Sequence, residues 1–150
     1  MNITELAEKV ESDINSTLGF DLKQALLISV HDGEYGVELS APLSNGDVYE
    51  LLESDASLEL AKRSQFIAIV TCGWAAPIAN DDDDDNQVAP SLHPERRRVR
   101  LVVLASRSSV SSVLRFSDTP DETVTDEGKA KGSLADAILN LMAESVSHLN

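Results

Sequence analysis

The run QFIAIVTC, from Gln65 to Cys72, does most to limit what this chain can fold into. It is short, apolar at successive positions and rich in β-branched residues, so it suits a central strand of a sheet. Gly73 and Pro77 mark its far end, and Gly73 there is expected to allow a bulge or close packing. A strand of this kind needs neighbours to pair with and helices to cover it.

Both are legible on either side. Upstream, Ile3, Leu6, Ala7, Val10, Ile14 and Leu18 recur at helical spacing. Asn2 followed by Glu5 has the form of a capping box, and Gly19 supplies a stop. QALLISVH reads as a buried strand, Asp32-Gly33 as a turn, and VELSAPL as an alternating strand with Val37, Leu39 and Ala41 on one face. These two strands predict an antiparallel hairpin. Helical periodicity returns through Val48, Leu51, Leu52, Leu58, Leu60 and Ala61, with Ser54-Asp55 as the point where one helix would divide into two.

Downstream, RRRVRLVVLAS is a strand with Val99, Leu101 and Val103 on one face and Arg98, Arg100, Val102 and Leu104 on the other. VSSVLRFS is a further strand, residues 118–132 a polar loop, and SLADAILNLMAESVSHL an amphipathic helix capped by Ser133. The predicted order is α-β-β-α-β-β-β-α. It describes a single α+β domain over residues 1–150, with a largely antiparallel five-stranded sheet and flanking helices. The same order of elements occurs in roadblock and profilin-like domains and, with variations, in deaminase-like and JAB-like domains. This is an analogy of element order and carries no function.

A chain of 150 residues can bury a core without disulfides or metal. Aromatic residues make up only 4%, so that core is built from Leu, Ile, Val and Ala, and few rings remain for stacking on bases or sugars. The net charge of −14 argues against direct binding to nucleic acid or to an anionic membrane, and suits a basic partner. One cysteine, Cys72, excludes an intramolecular disulfide. The opening MNITELAEKVESDIN lacks the basic and apolar regions of a signal peptide, and no run approaches the roughly 20 apolar residues of a membrane span. The expected setting is cytoplasmic.

Residues 79–94 form an acidic loop insertion around five consecutive aspartates, Asp81, Asp82, Asp83, Asp84 and Asp85. Adjacent carboxylates diverge and repel, and the run lacks the alternating ligands, the glycine and the closing glutamate of a calcium loop. It reads as a solvated loop, with weak cation binding or a contact for a basic partner as the alternatives. The arginines Arg96, Arg97, Arg98 and Arg100 offer two readings. One is a clamp for a small anion, using Arg96, Arg98 and Arg100 with His31 or His93 nearby. The other is a strand whose outward face is cationic and partly neutralised by nearby acids.

Catalytic patterns are not found. No spacing ties Cys72 to a histidine base, so the thiol reads as a small buried hydrophobe. His31, His93 and His148 make no zinc motif, and neither the zinc-deaminase pattern nor the paired histidines of an active JAB-like site are present. Ser108, Ser109, Ser111 and Ser112 lack a nucleophile elbow and read as turn and strand-surface residues. No phosphate-binding loop or dinucleotide fingerprint occurs, so the sequence calls for no cofactor, no metal and no catalytic residue.

The segments TCGWAAPI, PSLHPERRRVRLVV, SVLRF and GSLADAIL together make the second half of the chain resemble small uncharacterised proteins of actinobacteria and their phages. That resemblance implies no known activity and assigns no role to a residue. The leading expectation is a non-enzymatic intracellular interaction domain that binds a protein partner through acidic surface including Asp81 to Asp85. A sharper form is a mimic of DNA charge. The alternatives are a small-anion-binding domain or diverged enzyme using the Arg96–Arg100 strand, and a homodimer formed through a sheet edge or the terminal helices.

Overall fold

The computed structural model describes residues 2–31, 34–43, 45–75, 97–119, 121, 123–126 and 133–147. The elements are α1 (Ile3–Leu18), β1 (Ala25–His31), β2 (Glu34–Ala41), α2 (Asn45–Leu52), α3 (Asp55–Lys62), β3 (Phe66–Ala75), β4 (Arg97–Ala105), β5 (Val110–Phe116), β6 (Thr123–Asp126) and α4 (Ser133–Ser147). The α+β class holds, and every pairing in the sheet is antiparallel.

The expected strand count needs correction. Among the described residues the sheet has six strands, in the order β2-β1-β3-β4-β5-β6, and not five. The extra strand, TVTD, lies inside the 118–132 segment that reads as a polar loop. Its β-branched Thr-Val-Thr core outweighs the acidic, glycine-containing residues around it once β5 offers a free edge. The helical stretch before β3 divides into two helices at Ser54-Asp55, the point the sequence marks, which adds a helix to the predicted order. Ser54 caps α3 by accepting from the Ser57 N–H at 3.2 Å, while its own hydroxyl donates to the Leu51 carbonyl at 2.7 Å, ending α2.

Alternation along the strands sends side chains into two separate cores. Ala25, Leu27, Ile67, Ile69, Val103 and Ala105 face α2, α3 and α4, where Val48, Leu60, Ile138 and Met142 meet them. Ile28, Val30, Ala68, Val70, Val102 and Leu104 face α1, the one helix on that side among the described residues, through Leu6, Ala7, Val10 and Ile14. Asn2 starts α1 as expected, its Oδ1 accepting from the Glu5 N–H at 2.8 Å. Gly19 ends it with φ +75, a left-handed conformation that favours glycine.

The hairpin expectation holds for the pairing of β1 with β2 but not for the faces. Leu27 lies opposite Leu39, yet Ile28 lies opposite Val37, so Glu38 is an extra residue in a β-bulge. One inserted residue inverts the alternation. Leu39 therefore packs with the three-helix core, whereas Val37 shares the α1 side of the sheet with Ile28 and remains 50% exposed. The turn at Asp32-Gly33 lies outside the described residues. Gly73 makes no bulge: it pairs in unbroken register with Val99, and a Cβ there would meet nothing within 4 Å among the described residues.

Candidate functional site

Arg98 and Arg100 project from the same face of β4, and that face is the one α1 covers. Alternation along β4 is thus as expected, but the face is not an outward cationic one. Arg100 has a side-chain exposure of 0%. One of its Nη atoms donates to Glu11 Oε2 at 2.6 Å and to Asn15 Oδ1 at 2.8 Å, and the other donates to the Gly19 carbonyl. Arg115, directly opposite Arg100 on β5, forms a fork on the same carboxylate, with Nε to Oε2 at 2.7 Å and Nη2 to Oε1 at 2.8 Å. Glu11 is the centre of this cluster, with its side chain only 2% exposed.

The electrostatics are unusual. One carboxylate between two guanidiniums leaves an excess of positive charge, which is costly to bury unless something compensates it. The charge of Asp121 favours Arg115, whose side chain keeps 13% exposure, and the end of α1 serves the enclosed Arg100. The last turn of that helix carries no base of its own, and its C-terminal carbonyls form the negative pole of the helix dipole. Arg100 meets that pole at the Gly19 carbonyl, so the strand supplies the cation that the helix lacks. Burial pushes the Glu11 carboxyl up, but the hydrogen bonds and charges of Arg115 and Arg100 outweigh it and hold it below the usual carboxylate range. The same hydrogen bond raises the Arg115 guanidinium above its ordinary value.

The other described arginines of the second half also bond to the chain itself. Arg97 holds Asp118, with Nη2 to Oδ1 at 2.7 Å, and stacks over the Phe116 ring at 3.9 Å. Arg98, with 43% of its side chain exposed, pairs with Asp21 at 3.2 Å beside the Phe20 ring. Arg107, in the β4–β5 turn, donates to the Ala61 and Ser64 carbonyls at 3.2 and 3.1 Å and so caps the end of α3. The carboxylates have the opposite disposition. Glu5, Glu8 and Asp13 on α1 and Glu50, Glu53 and Asp55 on α2–α3 are exposed, and among the described residues exposed acids outnumber the exposed bases Lys9, Lys23, Arg63 and Arg98.

Of the expected site residues, Asp81 to Asp85 and Arg96 lie outside the described residues, as do the 79–94 insertion and His93. Arg98 and Arg100 share a strand face and both flank Phe20, at 5.9 and 5.4 Å from the ring, but only Arg98 reaches solvent. They do not form a common solvent-facing clamp. His31 ends β1, exposed and opposite Glu34. Cys72 sits on β3 opposite Arg100, half-buried, with its thiol 3.8 Å from the Phe20 carbonyl. Ser111 and Ser112 are buried rather than on the strand surface, and Ser111 bonds to Thr4 of α1 at 3.1 Å. Ser106 and Ser109 build the turn between β4 and β5, as their composition suggested.

Glu11, Asn15 and Arg115 form the cluster with Arg100, and sequence reading passed over all three. A signal was present: Ala7, Glu11 and Asn15 are spaced four apart, so Glu11 stands in the buried row of α1 where an apolar residue belongs. Among the described residues no helix is long and apolar enough to cross a membrane. Comparison with protein-family models, with curated proteins and with solved structures finds no match to this chain.

Proposed function

We propose that this protein is an interaction domain, not a catalyst, and that it receives a basic protein partner on its acidic surface. One observation supports this most directly. The described guanidiniums of the second half bond to the chain's own carboxylates and carbonyls, while carboxylates dominate the exposed surface of the described residues. An outward excess of carboxylates steers and holds a cationic surface. Asp81 to Asp85 lie outside the described residues and are kept in the reading for their charge alone. The sharper form, in which the acidic surface imitates the charge of DNA and occupies a nucleic-acid-binding protein, follows from the same electrostatics.

The anion-clamp reading is weaker, because Arg100 is enclosed and both of its Nη atoms donate to the chain itself. The test is affinity capture from host lysate at low and high salt, with and without competing duplex DNA. The wild type is run beside a variant carrying Asn at Asp81 to Asp85. The expected result is a basic protein that is lost at high salt, displaced by DNA and weakened by the five substitutions. Capture that ignores salt and DNA would refute the charge-mimic form, and a neutral or acidic partner would refute the basic-partner reading itself.

A further inference from the structure

We propose that the outer edge of β2, which no described strand covers, is where the partner docks, and that it takes an extended, lysine- or arginine-bearing segment as a further strand of the sheet. This inference rests on the basic partner proposed above and adds its geometry.

Among the described residues β2 ends the sheet and pairs with β1 alone, so one side of its eight residues has no strand neighbour there. The opposite edge, β6, has only four residues. An unpaired edge is a template for strand addition, in which main-chain hydrogen bonds supply affinity and alternate side chains supply selectivity. Val37 stands on this edge at 50% exposure, one of the few large hydrophobic side chains left open among the described residues. Helix α1 packs chiefly over β4 and β5, at the far side of the sheet, and α2 reaches the other face of β2. An added strand would cover the apolar corner that the helices leave open.

Charge decides which strand fits. β2 carries Glu34 and Glu38, both exposed, and no base. A second copy of this chain pairing edge to edge would set those carboxylates against each other, in a molecule already at −14. Like charges opposed across a strand pair are destabilising, whereas opposite charges stabilise it. The same two carboxylates and the bulge at Glu38 guard the edge against indiscriminate pairing. They leave one good occupant: a segment that places cations opposite Glu34 and Glu38 and an apolar residue against Val37.

The test is hydrogen exchange on the full chain with two synthetic peptides, one alternating lysine and valine, the other glutamate and valine. The lysine peptide should slow exchange at the outward amides of Glu34–Ala41 and bind about tenfold more tightly than the glutamate peptide. A Glu34→Lys/Glu38→Lys variant should reverse that order. A lysine peptide N-methylated at alternate residues, with its charge intact, should lose the effect on β2. Protection elsewhere on the acidic surface, with β2 unchanged, would overturn the edge proposal and leave the basic-partner reading standing. Equal binding by the N-methylated peptide would overturn strand addition. No binding of the lysine peptide at low salt would overturn both.

Discussion

The two faces of the sheet are covered in different ways. On one, α2, α3 and α4 close an apolar core in which Leu27, Ile69, Ile138 and Met142 meet without a buried charge among them. On the other, α1 is the one helix among the described residues, and it covers a core of similar composition that gives way, along one row, to Arg100, Arg115 and Glu11. The apolar face is non-directional: any helix of suitable shape and pattern would gain from burying there. The charged row is directional. It fixes where along β4 and β5 the single helix sits, because Glu11, Asn15 and Gly19 must all arrive at Arg100 together. The difference suggests that a lone helix obtains its register from hydrogen bonds, where three helices obtain theirs from mutual packing.

Breaking the charged row should have the largest effect. Glu11→Ala leaves two guanidiniums without their counter-ion and should cost about 3–5 kcal/mol in urea unfolding. A loss under about 1 kcal/mol would mean that water replaces the carboxylate and the row anchors nothing. Replacing Glu11, Arg100 and Arg115 together by apolar residues of similar volume should recover much of that loss while letting α1 shift. On the apolar face, Ile138→Ala should cost about 3 kcal/mol through lost burial and a cavity, with no dependence on salt or pH. If it were the costlier of the two, the contrast between the faces would invert.

Asn15→Ala removes one acceptor from Arg100 and should cost about 2 kcal/mol, read in the same unfolding experiment. The pH dependence should separate the faces without mutation of the core. The Glu11 carboxyl is held below its unfolded value, so its contribution is complete above the ordinary carboxylate range of about 4 and is lost as pH falls through the lower folded value. Wild type should therefore lose stability across that acid window more steeply than the apolar triple variant. Equal slopes would assign acid sensitivity to other carboxylates. The smallest effect should come from Arg98→Ala, two residues from Arg100 on the same face, at less than about 1 kcal/mol, because its partner Asp21 is exposed.

Much of the fold could be read from local pattern. The periodicity of Leu6, Val10 and Ile14 and the apolar run of β3 placed those elements well, since their burial follows from chemistry repeated at fixed spacing. The 123–126 strand was hidden because four residues with one apolar side chain become a strand only when β5 presents an edge to them. Val37 changed face because a bulge adds a residue without leaving a mark in the pattern of alternation. Of the candidate residues, Arg98 and Arg100 lie on one strand face as alternation along β4 predicts, but their separate fates depend on what lies above that face.

From the sequence alone came the class, the antiparallel hairpin, the excess of acid and the shared face of the two arginines, all set by residue type and short-range spacing. Tertiary structure decided which charges face water. Arg100 and Glu11 are 89 positions apart in the chain, and no local rule brings them together. Only the docking of α1 on β4 and β5 does so, and the cost of burying an unpaired charge then dictates that the carboxylate, the amide and the helix end converge on the arginine.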